Sequence, residues 1–213
     1  MIRSVFTGIE IAAMGDEADR LSENRGSSCV RHLCQRSPLF GSIASGRKVR
    51  KMLPPDMRLV RSILFDKTVS ENWAVAWHQD ITIALQEEVH VPGYGPWSVK
   101  DGVVHAQAPA QLLEKMLTIR VHLDDTPPEN GALRVIPGSH LYGRLTNEEA
   151  TRLTLQPGIV CAAHEGDVLL MTPLILHSSR RAAKPTRRRV VHFEFAPRSA
   201  LDSRLAWNEP PWS

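Results

Sequence analysis

GDVLLMTPLILHSSRRAAKPTRRRVVHFEFAP, residues 166–197, holds two apolar strand candidates joined by a basic loop, and its reading decides the fold. The first run ends at His177 and is interrupted by Thr172 and Pro173; the second, RRRVVHFEFAP, alternates along its length. Working back, LTIRVHLDD (117–125) is a clean alternating strand, TPPENG turns the chain, and ALRVIPGSH (132–140) returns it. Further upstream, RLVRSILFDK (58–67) and WAVAWHQDITIAL (73–85) read as strands. VPGYGPWSVKDGVV (91–104), rich in Gly and Pro, reads as a long loop with one short strand. Many short strands with frequent turns and no alternating βα rhythm predict a mainly β chain, an antiparallel sandwich or barrel.

At 213 residues the chain suits one domain with a proper core. We divide it into an N-terminal helical or irregular segment (1–56), a β core (57–197) and a C-terminal tail (198–213). Ser37-Pro38 places an N-cap before a proline at the first helical position, and Gly46 interrupts what begins there. Residues 15–28 read as a polar, mobile stretch. A short helix is expected near Ala110–Glu114. Thr146 followed by Glu149 is a capping-box pattern that opens another.

Composition narrows the function classes. A formal charge of +3 with dispersed basic residues does not ask for nucleic acid. No stretch has the apolar length of a membrane span; Val168–Leu176 comes nearest. The patch Ile9–Met14, broken by Glu10, is too short for a secretory signal, and three cysteines form no paired framework. A cytoplasmic protein is expected.

In a strand, residues two apart share a face, so His78 and Asp80 of WHQD present an imidazole and a carboxylate to one space. A lone His-x-Asp occurs by chance, and a histidine that ends a core strand is often structural. With His177 brought close, however, two histidines and one carboxylate occupy one face of a metal. The opposite face is then open for a bidentate co-substrate and O2, the arrangement of non-haem Fe(II) oxygenases. A 2-oxoglutarate chelating that iron has a distal carboxylate needing a partner, which a planar guanidinium suits. Arg188 begins the strand that returns beside that of His177; Arg187 and Arg189, of opposite parity, read as a solvated basic turn.

WHQD, then ENGALRVIPGSH, then His177-x-Ser179 with Arg188 eleven residues past the histidine, resemble the phytanoyl-CoA dioxygenase family from about Arg58 to Pro197. The resemblance implies a double-stranded β-helix, a cupin-like jelly roll with helices on its N-terminal side. It matches His78, Asp80 and His177 to iron ligands and Arg188 to the arginine on the distal carboxylate of 2-oxoglutarate. Ser179 matches the hydroxyl that assists it. Trp97 falls near a tryptophan lining the co-substrate pocket, and Gln79 sits where it would touch the co-substrate. Asn130, Gly131 and Gly138 read as structural, and His140 as a loop residue behind the ligands.

The implied activity is hydroxylation of an unactivated C–H bond of a small organic molecule, consuming 2-oxoglutarate and O2 and releasing succinate and CO2. Asp80 argues against halogenation, for which a small residue would leave a coordination position to chloride. Compared with the family, the N-terminal region reads as short, with less chain to cover the site. Two rivals stand beside this reading: a cupin-like divalent-metal hydrolase or isomerase, which has no need of Arg188, and a non-catalytic barrel module. His90 and His105 read as surface or supporting residues. Thr118, Arg120 and His122 share one strand face and are substrate-side candidates; His192 shares parity with Arg188.

Overall fold

The computed structural model describes residues 1–23 and 29–209. Helix α1 (Gly8–Glu23) comes first, then the short strand β1 (Cys29–Arg31) and helices α2 (Leu33–Arg36), α3 (Pro38–Ser45) and α4 (Arg47–Arg50). The strands that follow are β2 (Met57–Lys67), β3 (Val75–His78), β4 (Thr82–Leu85), β5 (Trp97–Lys100) and β6 (Val103–Gln107). After helix α5 (Ala110–Leu113) come β7 (Leu117–His122) and β8 (Leu133–Val135), then helix α6 (Asn147–Leu153). The chain continues through β9 (Ile159–Cys161), β10 (Val168–Met171), β11 (His177–Ser179) and β12 (Arg188–Pro197).

All pairings between these strands are antiparallel. One sheet runs β1-β2-β12-β7-β10, a second β3-β11-β8-β9, and a small third β4-β6-β5. The first two sheets face each other as the walls of a jelly roll, the fold expected from the sequence. No helix among the described residues is long and apolar enough to cross a membrane.

Strand β12 shows how the sequence builds this. Its odd-numbered residues Val191, Phe193 and Phe195 are fully buried against α1–α4, in a core with Met14, Ala18, Leu33, Phe40 and Val49. Each large apolar side chain so buried contributes roughly 1.5–3 kcal/mol. Its even-numbered residues Arg188, Val190, His192 and Glu194 face the opposite way, into the cavity between the sheets. Period-two alternation thus sends an apolar row to the helices and a polar row to the interior.

Three sequence expectations change. Residues 15–23 are the second half of α1, not a mobile stretch, and bury Gly15, Ala18 and Leu21; 24–28 lie outside the described residues. The buried spacing Ile11, Met14, Ala18, Leu21 is helical, and Thr7 and Glu10 exchange capping hydrogen bonds at its start. The run 166–179 forms two strands in opposite sheets, because Thr172–Leu176 carries the chain across. Arg187 and Arg189 do more than face solvent: Arg187, still exposed, pairs with Asp66 and Asp19, and the half-buried Arg189 with Asp124 and Asp19. Asp19 thereby ties α1 to the first turn of β12.

The predicted helix signals at Ser37 and Thr146 are present, the latter as a complete capping box. The C-terminal tail is part of the fold, with Trp207 bridging to Leu85 and Glu209 accepting from Ser62. Gly131 holds φ +70°, and a Cβ there would meet the Arg180 carbonyl oxygen at 2.6 Å. The same Gly131 carbonyl accepts a hydrogen bond from Arg188. Gly131→Ala is therefore expected to cost about 1–3 kcal/mol, read by urea unfolding, through backbone strain in a conformation glycine alone adopts freely.

Candidate metal centre

Three side chains converge where β3 and β11 lie side by side, with His78 opposite His177 in the ladder. The strand reading of His-x-Asp needs one correction, because β3 ends at His78 and Asp80 stands in the link beyond. Its backbone N–H donates to the Pro173 carbonyl at 2.9 Å, which turns the carboxylate inward. Asp80 Oδ1 lies 3.6 Å from His78 Nε2, and Oδ2 lies 3.5 Å from His177 Nε2.

The tautomers follow from the hydrogen bonds. His78 Nδ1 is 2.8 Å from the Ala76 carbonyl and His177 Nδ1 is 2.8 Å from the Ile175 carbonyl. A carbonyl oxygen can only accept, so each Nδ1 carries the proton and each Nε2 turns its lone pair inward. One ligand atom from each of His78, Asp80 and His177 falls within 4.8 Å of the others. Burial pushes the His177 imidazole down to about 4, so it is neutral at physiological pH. Burial alone would raise the Asp80 carboxyl, but the flanking His177 and His78 hold it below the usual carboxylate range. Burial alone would lower His78, but the hydrogen bond and charge of Asp80 carry it above its usual value, so a cation competes with a proton there. Two imidazoles and an ionised carboxylate form a donor set that a first-row divalent cation fits.

The centre opens into a cleft of about 730 Å³, a volume that includes the space open to solvent. Arg188 reaches this cleft from the facing sheet and not, as its sequence position suggests, from a strand paired with that of His177. Opposite Arg188 in the ladder is Lys67, whose Nζ donates to the Trp73 carbonyl at 2.5 Å and to Ser179 Oγ at 3.3 Å. Ser179, two residues beyond His177, stands about 7 Å along the strand from that ligand. Lys67, Ser179 and Arg188 thus make a cationic seat to one side of the metal ligands.

Charge inside the cleft is unbalanced. Arg61, Lys67, Arg120 and Arg188 line it against only Asp80 and Glu194. Burial, with Arg188 and Arg120 close by, pulls the Lys67 ammonium down to about 7. Burial and Arg120 also pull Arg188 down to about 10. Away from the seat, Arg61 donates to Glu194 Oε1 at 3.2 Å, His192 Nε2 lies 3.0 Å from the same oxygen, and Arg120 lies 2.8 Å from His192 Nδ1.

The sequence profile of the phytanoyl-CoA dioxygenases matches residues 1–190. The chain belongs to the phytanoyl-CoA dioxygenase family. No curated protein sequence matches it. Among solved structures, the epimerase SnoN from nogalamycin biosynthesis, in complex with Fe3+, alpha ketoglutarate and nogalamycin RO, superposes with a TM-score of 0.71 at 18% identity. That alignment covers 98% of this chain and 80% of SnoN. HygX from Streptomyces hygroscopicus, with nickel and 2-oxoglutarate bound, gives 0.67 at 21% identity over 93% of this chain and 82% of its own. AviO1 from Streptomyces viridochromogenes Tue57 gives 0.66 at 19% identity, covering 94% and 90%. At such identities these likenesses establish the shared fold.

Within this phytanoyl-CoA dioxygenase family member, two residues expected at the co-substrate are placed elsewhere. Gln79 donates to the Gly143 and Leu174 carbonyls and accepts from the Leu145 N–H, so its amide is fully engaged with loop backbone. Trp97, on β5, is absent from the cleft lining and packs in the cluster around β4, β6 and α5. The tryptophan that does line the cleft is Trp73, its ring 4.3 Å from Lys67 Nζ. Of the substrate-side candidates, Arg120 lines the cleft, whereas Thr118 and His122 are buried outside its lining; His192, on the parity of Arg188, lines it too.

Lys67, Arg61 and Glu194 escape a motif search, yet they carry a signal. They are charged residues at even spacing within otherwise apolar strands, on the parity of Arg188 or its ladder partners. With its folded value near 7 and its unfolded value near 10.5, Lys67 binds fewer protons folded than unfolded in between, so it makes stability rise with pH over that interval. Lys67→Met is expected to flatten that rise and to raise stability at about pH 6, where the buried charge is fully present, as measured by urea unfolding across pH.

Proposed function

We propose that this protein is an Fe(II)- and 2-oxoglutarate-dependent oxygenase that hydroxylates a C–H bond of a small organic molecule. The observation that carries the reading is a three-ligand centre and a cationic seat in one cleft, about 7 Å apart along β11. That separation suits a co-substrate that chelates through one end and presents a carboxylate at the other. His78, Asp80 and His177 would hold the iron, and Arg188 with Ser179 and Lys67 would hold the distal carboxylate. The excess of positive charge in the cleft favours a dianionic co-substrate, since each carboxylate meets a partner on arrival.

Iron bound with 2-oxoglutarate supplies the oxidising power from O2, with succinate and CO2 as the products of the co-substrate. The protein's own part is positional. The Ala76 and Ile175 carbonyls fix both imidazoles in the ligating tautomer. The Gly131 carbonyl fixes Arg188, and Asn130 clamps the strand's start through Thr186, accepting from its N–H at 3.2 Å and donating to its hydroxyl at 2.7 Å. Apolar walls from Ile63, Phe65, Val75, Leu133 and Val190 exclude water from the reacting groups. Asp80 fills the position that a halide would need, which supports oxygen transfer.

The same fold hosts an epimerase in SnoN, so the product separates the two outcomes: hydroxylation adds one oxygen to the substrate, whereas epimerisation leaves its mass unchanged. Anaerobic titration of the metal-free protein with Fe(II) and 2-oxoglutarate is expected to develop a weak visible charge-transfer band. His177→Ala should abolish it, and Arg188→Ala should weaken 2-oxoglutarate binding about 100-fold, the scale of a lost bidentate charge-assisted pair. Metal uptake without the band would point to a cupin-type hydrolase or isomerase. No metal uptake would point to a binding module.

A further inference from the structure

The end of the cleft away from Lys67 and Arg188 is also built, and nothing in the co-substrate reading uses it. Glu194 is 2% exposed, and its carboxylate faces the cleft. One ligand atom each from Asp80, His192 and Glu194 lies within 4.8 Å of the others, a spacing compatible with a second metal. The hydrogen bonds argue otherwise. A guanidinium can only donate, so the 2.8 Å contact from Arg120 makes His192 Nδ1 an acceptor. Nε2 then carries the proton and donates it to Glu194 Oε1 at 3.0 Å, leaving no lone pair there for a metal. Arg61 donates to the same Oε1.

Glu194 Oε1 thus accepts twice, while Oε2 has no hydrogen-bond donor among the described residues. Oε2 is therefore the oxygen of this buried residue that reaches the cleft, and its twin is held rigid by two donors, so the donor it takes comes from whatever fills the cleft. Water could occupy the place while the cleft is empty; a substrate that displaced it would have to replace the bond.

We propose that Glu194 is the substrate-orienting acceptor and that the substrate is an alcohol, whose hydroxyl donates to Oε2 and so presents the adjoining carbon to the metal centre. The proposal rests on the iron and 2-oxoglutarate reading and names the substrate class of that same site. A neutral donor suits the position better than a cation. Arg61 already balances Glu194, Arg120 stands behind His192, and an ammonium would face both guanidinium groups and the metal. Ile63 and Phe65, alternating with Arg61 along β2, offer an apolar surface to the hydrocarbon part.

Cyclohexanol, cyclohexanone and cyclohexylamine test this, added anaerobically to protein loaded with Fe(II) and 2-oxoglutarate while the visible band is followed. The alcohol should perturb the band at about one-tenth the concentration the ketone requires, because a ketone would leave Oε2 without a donor. The amine should do no better than the ketone. In Glu194→Gln, the amide oxygen stays with Arg61 and His192, and the amide N–H2 replaces Oε2. That change turns the acceptor into a donor, which a hydroxyl oxygen and a ketone oxygen can both accept from, and should abolish the alcohol's advantage. Equal potency of the probes, a preference for the amine, an order unchanged in Glu194→Gln, or uptake of two metal equivalents per chain would each overturn the proposal. Should the variant fail to fold, the wild-type order decides alone. A wild type that forms no band overturns the co-substrate reading, and this inference with it; a band without alcohol preference overturns this inference only.

Discussion

Strand β12 has to satisfy two incompatible surroundings at once, and the rest of the molecule is arranged around that demand. One face carries Val191, Phe193 and Phe195 and must be dry. The other carries Arg188, His192 and Glu194, whose burial is tolerable only with partners in place. Helices α1–α4 provide the dry side. The second sheet encloses the polar side without neutralising it, so that side has a net appetite for anions. A stable fold and a reactive cleft therefore come from a single strand, and Arg187 and Arg189 at its start are held through Asp19, Asp66 and Asp124.

The candidate metal ligands are prepared by backbone, not by other side chains. Each histidine binds the carbonyl two residues before it, a contact available wherever a strand presents imidazole Nδ1 to its own chain. The orientation therefore comes with the strand, and Asp80 needs only the Pro173 carbonyl to turn it inward. Both histidine contacts are local, so neither depends on a partner side chain far away in the sequence.

Much of this was legible in the sequence, for identifiable reasons. Alternation exposed the strands, and His78, Asp80, His177 and Arg188 stood out through their order and spacing along the chain. Ser37 and Thr146 announced their helices through caps that depend on three or four neighbours only. What was not legible depends on distant partners. The length of α1 is set by packing on the large sheet and by Asp19 reaching two arginines about 170 positions away. On paper Trp97 is the pocket tryptophan and Trp73 reads as packing. Which one faces the cleft depends on where β3 and β5 join different sheets. Lys67 and Glu194 were hidden for the opposite reason: a charge in a strand reads as its solvent face unless the other sheet is known to cover it.

Gln79 has a consequence for how this protein can change over time. Its amide spans two loops at once, binding backbone at Gly143, Leu145 and Leu174 while its neighbours on either side are the candidate ligands His78 and Asp80. An insertion in either loop would pull on the tripeptide from His78 to Asp80. Variation in substrate preference is thereby channelled away from that rim. The catalytic apparatus and the adaptable part of the surface are separated by one side chain's hydrogen bonds.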